Sequence, residues 1–450
     1  MFRFVFRALM CVGIVIALNF SVSLVATAQS PQMMSLHDCI KFGIDNDIAT
    51  KRSALELNYT VAQEKEAYSN VYPQINGKVK YENYPELPTS ILPGVILGQP
   101  GKDIAVQFGT KNNFSLGAEL SQVIYNQAVN LSVKAVRAAR ALSEVGVVKA
   151  KENVVYNIAQ AYLNVLVLQK QRKLLTTNLE KIGNTMKVVE VSLKNGFSKK
   201  IDLNRLQVAA TNLQTELQNV DLAEDQLLTL LKYNMAMPLE QPIALSDTLK
   251  ADDTALVPKT ENAEPADVRL LAAQRGLMNI QSEVVRSGYY PSAAAFASYQ
   301  VQAQRNAFDF FESKPWYRTA VWGVQINVPI FDGFNKRAKI EQWDIRLKQN
   351  DHDQQLIKNG INLQKRIADR KLQTNRNALT IQKRNADLAA EILSITREQY
   401  RMEQTTLAEV LNAESALKEA QGNYLKALAD SKIAELDVLK ASGNIMQLAE

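Results

Sequence analysis

Proline is missing from two long stretches of this chain, residues 101–237 and 330–450, although thirteen prolines occur elsewhere. A proline inside a helix removes a backbone hydrogen bond and clashes with the preceding turn, so the empty stretches are where long helices can form. Their hydrophobic pattern agrees. Ile158, Ala161, Val165, Leu168, Arg172, Leu175, Leu179, Ile182, Met186, Val189 and Leu193 follow alternating steps of three and four, with Arg172 the one break. That narrow seam belongs to coiled-coil packing, not to the broad face of a globular helix. A helix over 126–194 would run on the order of 100 Å at about 1.5 Å per residue. No compact domain has room for it.

After Asn195-Gly196 a second seam follows: Leu203, Leu206, Ala210, Leu213, Leu217, Val220, Glu224, Leu227 and Leu231. Adding 207 to each number gives Val410, Ala413, Leu417, Ala420, Tyr424, Ala427, Ser431, Ala434 and Val438, mostly apolar at the same spacing. Tyr72-Pro73 and Tyr290-Pro291 each close a helical stretch and open an alternating one. The chain therefore reads as an internal duplication.

Between the helices lie strand signals in two pairs. Ile75, Gly77, Val79 and Tyr81 alternate, as do Phe114, Leu116, Ala118, Leu120, Gln122 and Ile124 beyond a Pro/Gly-rich loop at 85–109. In the second half an Ala-rich strand near Ser292–Gln304 is weaker. Ala320, Trp322, Val324, Ile326, Val328 and Ile330 then mark one face, and Val321, Gly323, Gln325 and Asn327 the other. Segments of about ten residues, apolar on one side and small or polar on the other, fit an outer-membrane barrel or a half-buried sheet. The neighbouring coiled-coil helices favour the barrel. Four strands cannot close one, and an open edge in lipid leaves unpaired backbone groups. Two, three or four chains sharing one barrel would give eight, twelve or sixteen strands.

Residues 1–28 have the plan of a secretory signal, with Arg3 and Arg7 before an apolar run from Ala8 to Leu18 and a small-x-small site at Ala26-Thr27-Ala28. Net charge is +6, less two without Arg3 and Arg7, too small a bias to argue for nucleic acid. Beyond Cys11 in the leader the only cysteine is Cys39, so no internal disulfide is expected. Two histidines and one cysteine do not make the usual zinc ligand set. There is no G-x-S-x-G, H-E-x-x-H, C-x-x-C or phosphate-loop pattern, and Ser415-Ala-Leu-Lys418 is an S-x-x-K inside a coiled-coil repeat without an S-D-N. An enzyme, a metal site and a cofactor are not expected. No uncharged run of 18 residues follows residue 28, so no spanning helix is expected either.

The order helix, hairpin, long helix, helix, taken twice after a leader, resembles the TolC-type outer-membrane efflux family. The stretch from Tyr400 to Leu417, continuing to Ser442-Gly443, is similar to that family's second coiled-coil turn and following helix, with Asn195-Gly-Phe-Ser-Lys-Lys-Ile-Asp-Leu-Asn-Arg-Leu206 as its first-half counterpart. Ala161-Tyr-Leu-Asn164 and Pro329-Ile-Phe-Asp-Gly-Phe334 also match. The resemblance implies a mainly α fold with a small β part: antiparallel coiled-coil helices forming a periplasmic α-barrel, plus four strands given to a shared twelve-stranded barrel in a homotrimer. Implied boundaries are a signal at 1–28, a first repeat at 29–240 (hairpin about 74–125, helices 126–194 and 200–233), an equatorial segment at 241–264 and a second repeat at 265–450 (hairpin about 292–331, helices 334–400 and 406–441). Asp247, Asp252, Asp253, Glu261 and Glu264 fall in the acidic equatorial stretch.

The resemblance further implies a passive export duct in the outer membrane of a Gram-negative cell. Its partners would be a periplasmic adaptor, an inner-membrane transporter of the RND or ABC type, and outer-membrane lipid, without nucleic acid or cofactor. Carboxylates that narrow the family's periplasmic entrance map onto Glu409 and Asn412, the second a departure from the usual acid. The restraint that ties helices in the closed state maps onto Asp202, with Thr405 where the family has a cation and Arg205 as a local substitute; Asp202 could equally be a plain helix N-cap. Adaptor-contact turns map onto Gly196, Ser198, Lys199 and Glu403, with Lys200 beside them and Glu403 replacing the usual glycine. Tyr81, Tyr84, Trp316, Tyr317 and Trp322 are expected at strand ends, where amphipathic rings favour the bilayer interface. The competing reading is a periplasmic coiled-coil scaffold or adaptor whose strands form a soluble sheet.

Overall fold

The computed structural model describes residues 32–93, 95, 98, 101, 103–249 and 264–450. The expected leader at 1–28, and Asp252, Asp253 and Glu261 of the equatorial stretch, lie outside the described residues. In chain order the elements are β1 (Gln32–Met34), α1 (Leu36–Asn46), α2 (Ile48–Ser69), β2 (Gln74–Asn83), β3 (Thr89–Pro93), β4 (Asp103–Gln107), β5 (Asn112–Tyr125), α3 (Gln127–Lys194), α4 (Lys200–Asn234), β6 (Ile243–Leu245), α5 (Ala266–Ser287), β7 (Ser292–Arg305), β8 (Tyr317–Asn327), α6 (Asn335–Arg401) and α7 (Leu407–Ala441), then a 3-10 turn at Ile445–Ala449. The proline-free stretches hold α3 and α6, of 68 and 67 residues. Among the described residues no helix is long and apolar enough to cross a membrane.

The seams pack as heptads. Leu175, Ile182 and Val189 of α3 are buried with Leu206, Leu213 and Val220 of α4, and the same cluster takes in Leu393 of α6 with Leu407, Val410, Ala413 and Leu417 of α7. The two polar breaks meet across the first pair: Arg172 Nη1 lies 3.3 Å from the Glu224 carboxylate, which is buried, and 4.0 Å from Asp221. A charged break in one seam is tolerated because the other seam supplies its counterion.

A second core forms a belt on the outside of α3 and α7. β1 pairs in parallel with β6, and Met34, Cys39 and Ile40 bury against Val155, Ile158, Ala159 and Tyr162 of α3 and Leu428, Leu436 and Leu439 of α7. Ser35 and Asp38 cap α1 reciprocally. Tyr162 Oη donates to Asp247 at 2.7 Å, and the same carboxylate accepts the Leu36 N–H at 3.0 Å. Asp247, expected as a belt acid, is thus the staple that pins β1 and β6 to α3. Burial first, and the hydrogen bond to Asp247 second, push the Tyr162 phenol well above its ordinary range. Burial pushes the Cys39 thiol up to about 12, which leaves it inert as a nucleophile.

The main sheet is antiparallel with order β2-β5-β7-β8, so β2 and β8 are its edges, each without a further strand partner among the described residues. The Ala-rich strand, weak in the sequence pattern, is the interior strand β7. Alanines suffice there because β7 has a partner on each side. Within the proline-rich loop β3 and β4 pair as a small hairpin, an element the sequence pattern did not disclose.

Candidate functional site

Register sorts the main sheet into two chemically distinct faces. Ile75, Leu120, Ala297 and Trp322 form one row across the four strands, Gly77, Ala118, Tyr299 and Ala320 the next, and Val79, Leu116 and Val301 a third that ends at Arg318. The opposite face carries Asn76, Glu119 and Ser298, then Lys78, Gly117, Gln300 and Thr319, then Lys80, Ser115 and Gln302. Its charges are matched in place: Lys78 pairs with Glu119, and Lys80 lies 2.7 Å from Glu82. On the apolar face Ile75 and Val79 remain two-thirds exposed and Trp322 84% exposed. Apolar side chains left bare in rows across a whole sheet need a hydrocarbon or protein cover.

The five aromatics expected at strand ends separate. Tyr81 and Trp316 do sit at the far end of the sheet, where Tyr81 packs edge-on against Phe308 and Phe310, and Trp316 against Phe114, with ring centroids 5.5–6.3 Å apart across Phe114–Phe310 and Phe310–Trp316. Tyr84 follows β2, its N–H bonded to the Lys111 carbonyl at 2.7 Å. Two placements differ from expectation. Tyr317 pairs with Gln302 and so lies on the polar face, because alternation puts it in phase with Thr319 and Val321. Trp322 is the sixth of eleven residues of β8, not an end, because the apolar alternation runs on past it through Val324 and Ile326.

At the other extremity both helix pairs turn in the same way. In the first, the Phe197 N–H reaches the Ser192 carbonyl at 2.8 Å and the Gly196 N–H that of Leu193 at 3.1 Å, with Gly196 at φ 80. In the second, Gln404 bonds to Gln399 at 2.8 Å and Glu403 to Tyr400 at 3.0 Å, with Glu403 at φ 60. Both are Schellman turns. Glu403 replaces the usual glycine yet adopts its left-handed backbone, at a cost of about 1–2 kcal/mol for an L-residue with a side chain. Phe197 at the first tip is 84% exposed. Lys199 and Lys200 are exposed and Ser198 half-buried.

Asp202 is not the N-cap of α4. That position is Lys199, which makes no side-chain cap bond, and Asp202 stands three residues later in the first turn. Arg205 Nη1 lies 3.9 Å from it, one turn along the same helix. Thr405 is half-buried, and among the described residues no hydrogen bond joins it to Asp202. Burial first, and the Asp202 charge second, push the Tyr400 phenol up. Glu409 is an exposed first-turn residue of α7, its N–H bonded to the Thr406 hydroxyl at 3.4 Å, and Asn412 is exposed one turn on. A carboxylate there is favoured by the helix N-terminus.

Sequence reasoning missed the ion pairs that join one helix to another, within and between the helix pairs. Lys418 of α7 pairs with Glu216 of α4, and Arg397 reaches Glu414 at 2.5 Å between α6 and α7. A cavity of about 200 Å³ lies between the pairs, bordered by Lys181, Ile182, Leu213, Leu393, Arg397 and Glu414. The only signal for these was charge at coiled-coil flanks, which does not reveal its partner.

Comparisons with known proteins accord with this geometry. Residues 257–444 match the family described as outer membrane efflux protein. No curated protein sequence matches the chain. Among solved structures, CusC, from a study of its folding and transmembrane channel formation, aligns at 16% identity over 93% of this chain and 95% of its own, with a TM-score of 0.73. VceC, an outer membrane protein of Vibrio cholerae, aligns at 15% over 91% and 96%, with a TM-score of 0.70. The CmeC outer membrane channel of Campylobacter jejuni aligns at 15% over 91% and 85%, also with a TM-score of 0.70. Residues 257–444 thus resemble the outer membrane efflux protein family, and the fold over most of the chain is the one found in solved outer-membrane channels.

Proposed function

We propose that three copies of this chain form a passive export duct, twelve strands closing one barrel in the outer membrane above a helical tunnel in the periplasm. The observation that carries this reading is the four-stranded sheet with a bare apolar face and two unpaired edges. In hydrocarbon those edge N–H and C=O groups would each cost several kcal/mol, and β8 of one copy meeting β2 of the next removes the cost. The polar face then lines the pore with charges already paired, so the barrel does little to sort guests by charge.

The duct does no chemistry. It receives cargo from an inner-membrane transporter of the RND or ABC type through a periplasmic adaptor that engages the turns at Gly196, Ser198, Lys199 and Glu403. The left-handed Glu403 supports an ordinary turn geometry despite the missing glycine. Three copies of Glu409 form an anionic ring at the entrance, with Asn412 a turn above it and Asp202 beside Arg205 restraining the closed state. The chain divides as two repeats, 29–240 and 265–450, about the equatorial segment 241–264. Tyr81, Tyr84, Trp316 and Trp322 contact the bilayer, while Tyr317 lines the pore. A soluble scaffold would leave Trp322 and its row in water, which argues against that alternative.

Purified protein in planar bilayers tests this. Discrete conductance is expected, with Glu409→Ala raising it or removing block by multivalent cations. Unchanged current and block would end the gate assignment. A protein that stays soluble without detergent and never conducts would end the duct.

A further inference from the structure

The cavity of about 200 Å³ between the helix pairs interrupts the core that joins the two coiled coils. All four long helices wall it: Lys181 and Ile182 of α3, Leu213 of α4, Leu393 and Arg397 of α6, and Leu417 of α7. Ile182, Leu213, Leu393 and Leu417 are each 6% exposed or less, so its floor is made of core side chains. Protein interiors are close-packed, and a gap among such side chains forfeits their contacts. The polar groups stand at the mouth, where Lys181, Asn212 and Ser415 are exposed. The charges around the cavity are not equivalent. Arg397 is held by Glu414 at 2.5 Å, and the second Glu414 oxygen is buried with no hydrogen-bond partner, out of reach of an occupant. Lys418 is taken up by Glu216 of α4. Of the three cations only Lys181 has no ion-pair partner among the described residues.

We propose that this cavity binds a small amphiphilic anion such as a medium-chain carboxylate, with its apolar body between the two coiled coils and its head on Lys181. An apolar floor with a few polar groups at the rim is the usual build of a small-molecule site. Size limits the occupant: an apolar cavity of about 150 Å³ holds benzene, so this one takes an apolar body of roughly eight heavy atoms. A whole lipid or the side of a folded protein does not fit. Charge selects the head. A cation would meet Lys181, Arg397 and Lys418, and the one acid of the lining, Glu414, is already engaged by Arg397. A neutral head would gain nothing from Lys181. A carboxylate gains a charge-assisted hydrogen bond from it. Because the walls come from both pairs, the occupant ties α3 and α4 to α6 and α7. The inference needs the fold of one chain and not the duct reading.

The test is photolabelling of the full-length protein in detergent with an eight-carbon carboxylate that carries a diazirine at the far end of its chain, followed by peptide mapping. Label is expected on the stretches that hold Leu213 and Leu417, and octanoate should displace it. Octylamine, of the same length and opposite charge, should need about tenfold more or beyond to do so. Lys181→Glu should weaken labelling about tenfold or more, and Lys181→Arg should keep it. Ala209→Leu, which fills the cavity from α4, should abolish it. Lys181 is exposed, so its two variants decide the matter even where Ala209→Leu folds poorly. Label confined to the sheet, octylamine that displaces as well as octanoate, or a Lys181→Glu variant labelled as strongly as wild type overturns the proposal. So does an unlabelled cavity, which would then hold water only. Labelled protein that never conducts leaves this inference standing and defeats the duct.

Discussion

Helices α3 and α6 differ in length by one residue and end in the same turn, yet they meet their surroundings oppositely. At the level of the belt α3 presents Val155, Ile158 and Tyr162 to a covering layer, and α6 presents Asn362, Lys365 and Asp369 to solvent. Both halves have the same frame, an antiparallel pair of long helices with a heptad seam and a pair of strands. β1, α1 and β6 cover α3 and leave the matching level of α6 exposed.

That contrast can be broken directly by exchanging residues between the halves. Ile158→Lys gives α3 the residue its counterpart carries at 365 and puts an unpaired cation under the belt. A loss of about 3–5 kcal/mol is expected in denaturant unfolding, while Lys365→Ile should stay within about 0.5 kcal/mol of wild type. If Ile158→Lys were as mild as its reciprocal, the belt would not be packed as described.

The next largest effect concerns the seams. Arg172→Leu leaves the buried Glu224 carboxylate without its counterion and should cost about 2–3 kcal/mol. Adding Glu224→Leu should restore stability to the wild-type level or above, because two leucines complete the heptad without a charge, as the second pair does with Leu379 and Ser431. A double variant no better than the single would show that the ion pair is not what reconciles the two breaks.

The two tips sharpen the comparison at smaller scale. Glu403→Gly should raise stability by about 1 kcal/mol, and Gly196→Ala should lower it by a similar amount, since both positions are left-handed. Equal and negligible shifts in melting temperature would contradict the shared turn geometry. The smallest effect at neutral pH is at Tyr156, whose phenol burial and then Asp437 push up to about 12. A phenol with a raised pKa in the folded state contributes its full share below about pH 10 and loses it as pH rises toward 12. Tyr156→Phe should therefore flatten the stability profile between those limits, and an unaltered slope would count against its buried bond to Asp437.

How much of this was legible beforehand follows from the range of each interaction. The seams, the strand alternation and the tandem plan depend on spacing within one element, and spacing is what a sequence records. Parity along β8 already puts Tyr317 in phase with Val321 and Gly323 on the polar side. The belt staple was not legible, because Tyr162 and Asp247 lie 85 positions apart and nothing local marks either as the other's partner. The same holds for Glu216 with Lys418. Glu403 could be seen to replace a glycine, but only the backbone reveals that it accepts the glycine's conformation.

The central claim is that one chain's sheet is incomplete and that copies of the chain complete it. Native mass spectrometry of the detergent-extracted protein tests this most directly. The account predicts a particle of three chains that falls to one only when the barrel is unfolded by heat. A single chain as the stable species, with β2 and β8 still unpaired, would contradict it.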